Sequence, residues 1–296
     1  MSEVIAALEL GGTKTVVALG NEAGELFEEF RFPTATPEET LSTALDWWRA
    51  RAEFSRLGIA SFGPIRIDPA REDYGSFLTT PKQAWQGFSL TEFFDRHLHG
   101  VKLMIATDVQ AALLAEMNRG AAAGLSDALY LTVGTGIGTG ICCDGKMIHG
   151  TLHPEMGHLM VRRHPDDSFG GVCPYHGDCW EGLASGPAIE QRWGIPAREL
   201  SVDHVAWEME AYYLAQGLFA ACAMLSPERL ILGGGVSQAP GLHAKVAALL
   251  DVYSAGYFEA LGKRLVAPLL GQQAGIMGAL LLGAKPCIYN RASLAQ

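Results

Sequence analysis

The chain has 296 residues, of which 49% are hydrophobic and 18% are charged, and its net charge is -10. This composition supports a substantial core and excludes an intrinsically disordered chain, while the length fits one large domain or two of ordinary size. The acidic balance without a basic cluster makes nucleic acid a poor partner, and no apolar run is long enough to span a bilayer, so we expect no membrane partner.

The first elements in the chain predict a β-hairpin closed by a glycine-rich turn. Apolar runs over residues 4–10 and 15–19 flank the sequence Gly11-Gly12-Thr13-Lys14. This is a turn between two strands rather than the strand-to-helix turn of a Walker motif. The next predicted elements are a strand over 26–32, a helix that begins at Pro37 with Thr36 as its cap, strands over 57–62 and 101–106, and a helix over 109–119.

The same arrangement of strand, glycine turn and strand returns in the second half of the chain. Strands over 128–133 and 138–143 flank Gly134-Thr135-Gly136, and a long helix over 206–225, a strand over 229–232 and a third glycine loop follow. We therefore predict an α/β fold of two domains with a ligand-binding cleft between them. The first domain is predicted over 1–118, joined by a C-terminal helix over 275–290. The second is predicted over 119–274, with a metal-binding insert at 155–181.

Four side chains in this insert have the composition of a metal site: His158, Cys173, His176 and Cys179. Two thiolates and two imidazoles suit tetrahedral Zn²⁺, and four protein ligands leave no open position, so the predicted role is structural. His153 and His164 are nearby substitutes for either imidazole. The alternative is a disulfide with incidental histidines. No secretory signal opens the sequence, so we expect a reducing cytoplasm, which disfavours that alternative.

The glycine turns and two carboxylates are the candidate binding and catalytic groups. Glycine allows a backbone to approach an oxyanion closely, so the three glycine segments predict a nucleotide site, although hairpin geometry alone explains any one of them. Asp108 follows a strand and is the best candidate for a general base, or it simply caps the next helix. Glu9 is a candidate Mg²⁺ ligand, directly or through water, or a solvated charge.

The motifs at 9–14, 107–112, 134–140, 155–158 and 232–236 together resemble those of the ROK sugar kinases. The run 173–187 and the segment Thr79-Thr80-Pro81-Lys82 with Trp85 are similar to the zinc-containing bacterial ROK fructokinases. The resemblance covers nearly the whole chain in the right order.

The resemblance implies an actin-like ATPase (ribonuclease H-like) fold, ATP with Mg²⁺, and phosphoryl transfer to the 6-hydroxyl of a hexose, with Asp108 as base. D-fructose is the leading substrate, and mannose, glucose or another hexose is the alternative. The residues implied at the sugar are Gly63, Thr107, Asp108, Glu155, His158 and Glu181. Those implied at the nucleotide are Gly11, Gly12, Thr13, Lys14, Thr135, Gly136, Pro187, Gly233, Gly234, Gly235 and Val236.

Three positions depart from the commoner family pattern and leave the sugar open. Thr107 stands where many members have Asn, Glu9 where many have Asp, and His176 where many have Cys. A homodimer is a family-level expectation.

Two other classes of protein compete with the kinase. A catalytically silent, sugar-sensing ROK protein is one. The regulators of that family carry a DNA-binding segment ahead of the first glycine turn. In this sequence only eight residues precede Glu9, so we do not expect that segment here. The other is a zinc hydrolase with Glu155 as base, which needs an open metal position.

Overall fold

A computed structural model describes residues 3–80 and 82–284. The described residues divide into two compact units. The first contains the residues up to 118, together with 146–154 and the residues from 272 onward, and the second contains 119–145 and 155–271. The described part of the chain has no helix long and apolar enough to cross a bilayer.

The segment 146–154 differs from the sequence prediction, which assigned it to the second domain. It groups with the first unit because the side-chain amide of Gln110 donates to Ile148 O (3.1 Å) and the backbone N–H of Ile65 donates to His153 Nε2 (3.3 Å). Both contacts are remote in sequence, so periodicity does not indicate them. The predicted C-terminal helix over 275–290 is observed as Ala274–Ala284, and its remainder lies outside the described residues.

The first unit contains a five-stranded mixed sheet in the order β3-β2-β1-β4-β5. Its strands are β1 (Ile5–Leu10), β2 (Lys14–Gly20), β3 (Leu26–Pro33), β4 (Arg56–Ser61) and β5 (Lys102–Thr107). The predicted hairpin is confirmed, because β1 pairs antiparallel with β2 from Ile5–Gly20 to Leu10–Thr15. β4 and β5 then add in parallel, so the carboxyl ends of β1, β4 and β5 lie at one edge of the sheet.

A second sheet repeats this strand order, as β10-β9-β6-β7-β8. Its strands are β6 (Ala128–Val133), β7 (Ile137–Cys143), β8 (Lys146–Met147), β9 (Arg229–Gly233) and β10 (Leu265–Val266). The second predicted hairpin is also confirmed by the antiparallel pairing of β6 and β7, and β9 runs parallel to β6. The two halves of the sequence therefore build the same sheet pattern.

Nine α-helices occur among the described residues: α1 (Pro37–Arg49), α2 (Leu90–His97), α3 (Asp108–Arg119), α4 (Trp180–Ala184), α5 (Gly186–Trp193), α6 (Ala206–Leu225), α7 (Leu242–Ser254), α8 (Leu261–Arg264) and α9 (Ala274–Ala284). The predicted start of α1 is confirmed by a complete capping box between Thr36 and Glu39. α2, α4, α5, α7 and α8 were not predicted.

The apolar α9 covers the first sheet at unusually short range. A Cβ atom on Gly58 of β4 would lie 1.8 Å from Ala279 O, and one on Gly278 would lie 1.9 Å from Ala111 O. Only glycine at these positions allows such a close approach of helix and strand backbones. This packing holds α3 and the ends of β1 and β5 in a fixed geometry, and both candidate carboxylates lie there.

Candidate functional site

Asp108 is the first residue of α3, and the cap of that helix is the residue before it. The Thr107 hydroxyl accepts from Gln110 N–H, and Gln110 Oε1 accepts from Thr107 N–H, each at 3.3 Å. The interpretation of Asp108 as a mere helix cap is therefore wrong. Its own Oδ1 accepts from the adjacent Val109 N–H at 2.9 Å, and no side chain among the described residues pairs with the carboxylate, which is therefore accessible to a ligand.

The surroundings of Asp108 favour proton transfer near neutral pH. Desolvation raises the pKa of its carboxyl from 3.8 to about 6, against the opposing hydrogen bond from Val109 N–H. A carboxylate with this pKa is ionised at pH 7 and is a stronger base than an exposed aspartate. Thr107, by contrast, is only 3% exposed, and its hydroxyl also contacts Gln110 Oε1 (3.3 Å). The hydrogen bonds of Thr107 therefore stabilise the first turn of α3.

Glu9, near the end of β1, is the second candidate carboxylate of this unit. Burial and the charge of Asp108 raise its pKa to about 7, although Lys14 and Arg31 oppose the shift. Its Oε2 atom is buried without a hydrogen-bond partner. A Cβ on Gly275, in the first turn of α9, would lie 2.5 Å from Glu9 Oε1. Glu9 is therefore no solvated surface charge; an unsatisfied buried oxygen of this kind fits a cation such as Mg²⁺.

The first glycine turn lies between β1 and β2. Its backbone is closed by a hydrogen bond from Gly11 N–H to Lys14 O (3.1 Å). Thr34 braces it from outside, since its hydroxyl donates to Gly11 O (2.8 Å) and its N–H donates to Thr13 O (3.0 Å). Lys14 is the first residue of β2, and Gly12, Thr13 and Lys14 are exposed.

Gly63 lies on a loop held by the segment 146–154. A Cβ on Gly63 would lie 3.0 Å from the ring of His153, whose Nε2 accepts from Ile65 N–H. Burial lowers the pKa of His153 to about 4, so the ring is neutral and can accept that bond. His153 thus shapes this loop and is not a metal ligand.

In the second unit, three glycine segments meet. Gly186 N–H, at the start of α5, donates to Gly134 O (2.7 Å), and Gly134 N–H donates to Gly136 O (2.9 Å). Gly234, in the left-handed region at φ 89°, lies against Val133, where a Cβ would come within 2.3 Å of Val133 O. The β6–β7 turn, the segment containing Pro187 and the loop 233–236 therefore lie together in the second unit, whereas the first glycine turn belongs to the first unit.

Glu181, on α4, contacts the β6–β7 turn directly. Its Oε2 accepts from Ile137 N–H at 2.9 Å, and a Cβ on Gly136 would lie 2.6 Å from that oxygen. Sequence reasoning missed this bond. The only local signal for it is the glycine at 136, which a hairpin turn also explains.

The four candidate metal ligands lie together in the second unit. One ligand atom from each of His158, Cys173, His176 and Cys179 is within 4.8 Å of all the others. All the described cysteines are free thiols, so the disulfide alternative is wrong for Cys173 and Cys179. His164 is not in the cluster; its ring packs edge-on against Tyr212.

The dimensions of this cluster fit a tetrahedral zinc site. Bonds of about 2.3 Å to sulfur and 2.0–2.1 Å to nitrogen require S···N separations of about 3.6 Å. Cys173 Sγ lies 3.8 Å from His158 Nδ1 and 3.6 Å from His176 Nδ1, and Cys179 Sγ lies 3.6 Å from His158 Nδ1. A zinc ion held by these four donors would have no open position.

The backbone around the cluster is tightly packed. Cys173 and Gly177 exchange two backbone hydrogen bonds, and Cys179 directly precedes α4, which carries Glu181. The short 3₁₀ turn Met156–His158 rests on β7, because a Cβ on Gly157 would lie 2.3 Å from Ile137 O. The exposed Glu155 begins this turn, where its carbonyl accepts from His158 N–H (3.0 Å).

Comparison with known proteins places these features in one family. The ROK family model matches residues 5–285. A fructokinase of Zymomonas mobilis is 42% identical over 290 residues, which is 95% of this chain and 96% of the relative. A glucokinase of Halalkalibacterium halodurans is 24% identical over 318 residues and 92% of each chain.

The crystal structure of the ROK hexokinase from Thermus thermophilus superimposes with a TM-score of 0.75 and 27% identity. It covers 95% of this chain and 97% of that one. The predicted two-domain α/β fold of the ROK sugar kinases is therefore confirmed.

Proposed function

The chain belongs to the ROK family, and from this membership we propose that it transfers the γ-phosphoryl group of ATP to the 6-hydroxyl of D-fructose. It is an ATP-dependent sugar kinase. The observation that supports fructose is the identity with fructokinases, which is well above that with glucokinases.

Asp108 is the general base of this proposal. Its free carboxylate oxygen accepts the proton of the sugar hydroxyl as that oxygen attacks the γ-phosphorus. A pKa near 6 leaves the group ionised at neutral pH and able to take the proton. Thr107 and Gln110 position Asp108 by fixing the first turn of α3, so Thr107 acts on the reaction through Asp108.

The phosphates of ATP are assigned to the backbone of the two glycine turns. In the first unit the turn Gly11–Gly12–Thr13–Lys14 supplies N–H groups and the Thr13 hydroxyl. In the second, Thr135, Gly136, Pro187 and the residues Gly233, Gly234, Gly235 and Val236 border the nucleotide. Glu9 would hold Mg²⁺, directly or through water, and the ion would supply charge neutralisation on the phosphoryl oxygens.

The sugar is assigned to Gly63, Glu155, His158 and Glu181, together with Asp108. Zn²⁺ held by His158, Cys173, His176 and Cys179 is assigned a structural role, because four protein donors leave no place for a reactive water. It would fix the backbone that carries Glu155 and Glu181. A homodimer remains a prediction.

An ADP-release assay across fructose, mannose, glucose and N-acetylmannosamine tests the proposal. We expect the highest kcat/KM with fructose. Turnover of another hexose alone would reassign the substrate, and no turnover with any hexose would favour a sugar-sensing protein.

Asp108→Asn tests the base. We expect sugar binding to persist, because the side-chain shape is kept, while turnover falls to the detection limit. Asp95→Asn, at an exposed position of α2, is the matched control and should behave as wild type. Wild-type-like turnover of Asp108→Asn would remove Asp108 from this role.

A further inference from the structure

Lys82 belongs to a sequence motif that the proposed function leaves without a role. It immediately precedes a 3₁₀ turn, Gln83–Trp85, and its backbone is anchored on both sides. Lys82 N–H donates to the hydroxyl of Thr80 (3.4 Å), and Trp85 N–H donates to Lys82 O (2.8 Å). Trp85 is 1% exposed, and its indole N–H donates to Ala35 O (3.0 Å). Lys82 therefore projects from a rigid base.

The side chain of Lys82 reaches the first glycine turn. Its Cε atom lies 3.8 Å from the position that a Cβ atom on Gly12 would occupy, and apart from the chain neighbours of Gly12 no other atom of the described residues comes within 4 Å of that position. The ammonium group is one bond further along. Glycine at position 12 thus leaves room for a cation beside the backbone N–H groups of the turn.

The charge of Lys82 is not neutralised within the described part of the chain. Five arginines of the first unit form ion pairs with carboxylates, namely Arg31, Arg51, Arg56, Arg66 and Arg71. Lys82 is half-buried and has no such partner among the described residues. A half-buried cation without an ion pair is unusual in a chain of net charge -10, and its charge suits the binding of an anionic ligand.

We propose that the Lys82 ammonium binds the terminal phosphoryl group of ATP and neutralises charge on it during transfer. The inference rests on the proposed function. The carboxylates of Glu9 and Asp108 in the same unit disfavour the approach of a polyanion. The ammonium offsets that repulsion. It supplies the positive charge that a Walker lysine provides in P-loop proteins, a motif this chain lacks.

The competing explanation is a surface lysine whose stem packs on the turn without touching ATP. Three variants separate the two: Lys82→Met keeps the apolar stem, Lys82→Arg keeps the charge, and Lys102→Met is the control at an exposed position of β5. Each is measured for kcat, for KM with ATP and with the sugar, and for equilibrium binding of ATP and ADP. The melting temperature reports whether each variant is folded.

For Lys82→Met we expect kcat/KM for ATP to fall about 100-fold or more, the loss typical of removing one charge-stabilising donor. KM for the sugar should stay within about threefold, Lys82→Arg should recover part of the activity, and Lys102→Met should match wild type. Because the contact is to the terminal phosphoryl group, ATP binding should weaken more than ADP binding.

Equal weakening of ATP and ADP binding would overturn the inference, as would kinetics of Lys82→Met equal to those of Lys102→Met. A rise confined to KM for the sugar would overturn it too. If the wild-type protein turns over no hexose, the proposed function fails. The comparison of ATP with ADP binding still decides the role of Lys82 in that case.

Discussion

Replacing Gly136 with alanine tests whether Glu181 shapes the β6–β7 turn. The added Cβ would lie 2.6 Å from Glu181 Oε2, well inside van der Waals contact. The carboxylate has to retreat, and the bond that it accepts from Ile137 N–H, now 2.9 Å, is then stretched or lost. Gly136 itself has no positive φ, so alanine adds no backbone strain at this position.

The expected magnitude follows from that one bond. A hydrogen bond to a charged group adds about 1.5–3 kcal/mol to the free energy of unfolding. Replacing glycine by alanine at a compatible φ adds about 0.4–1 kcal/mol, because it restricts the unfolded chain, and this offsets part of the loss. The net loss in the free energy of unfolding is about 0.5–2.5 kcal/mol. Because the turn is assigned to the ATP phosphates, a shift of its backbone should also raise KM for ATP.

Denaturant unfolding and initial-rate kinetics measure the two effects. Gly134→Ala is the stability control in the same turn, because its Cβ would meet no atom within 4 Å. The decisive experiment is a double-mutant cycle of Gly136→Ala with Glu181→Ala. If the clash is the cause, Gly136→Ala should cost nothing once the Glu181 side chain is truncated. Additive losses in the double mutant would refute the reasoning.

Four further predictions concern stability, pH and metal. Asp108→Asn should be more stable than wild type at pH 8 by about 1–3 kcal/mol in denaturant unfolding, although it is inactive. Because the pKa of Asp108 is raised in the folded protein, its contribution to the free energy of unfolding is complete below pH 3.8 and is lost as pH rises through about 6. The stabilities of Asp108→Asn and wild type should therefore become equal near pH 4. Equal stabilities of the two proteins at pH 8 would contradict this prediction. The upper end of the expected gain in stability is a ceiling, because the Asp108 side chain is partly exposed. Wild-type kcat should likewise fall as pH drops below about 6, where the base becomes protonated. Removal by a chelator of the metal proposed at His158, Cys173, His176 and Cys179 should speed amide hydrogen exchange across 155–181 and raise KM for ATP, since Glu181 loses its support; unchanged exchange after verified metal loss would count against the structural role. Gly58→Ala should unfold the protein or cost more than about 3 kcal/mol, because the new methyl meets Ala279 O at 1.8 Å, whereas Gly170→Ala meets no atom within 4 Å and serves as control.

Local rules explain the parts of the fold that could be predicted. The two hairpins follow from glycine between short apolar runs, and the start of α1 follows from a capping box, since these signals act within a few residues. The metal cluster was predicted because its donors are chemically distinctive and three of them lie within seven residues, from Cys173 to Cys179. α2, α4, α5 and α8 were missed because helices of four to eight residues are too short for a clear periodic pattern, and the longer α7 was missed as well.

Several site features depended on contacts between residues remote in sequence. Asp108 was predicted as a residue of interest, but the sequence left open whether it caps α3, and the hydrogen bonds between Thr107 and Gln110 decided that question. Glu181 was expected at the sugar, and its bond to Ile137 N–H is apparent only once α4 is packed against the β6–β7 turn. Lys82 stood out in a motif, yet its place beside Gly12 required the fold.

By itself, the sequence determined the duplicated hairpins, the helices α1, α3, α6 and α9, the four metal donors and the family resemblance. These depend on residue chemistry and short spacings, which folding does not alter. Only the tertiary structure decided which buried oxygens lack partners, which glycines are needed for close approach, and which charges remain unpaired. These properties arise when distant segments exclude water from the same place, so no local pattern encodes them.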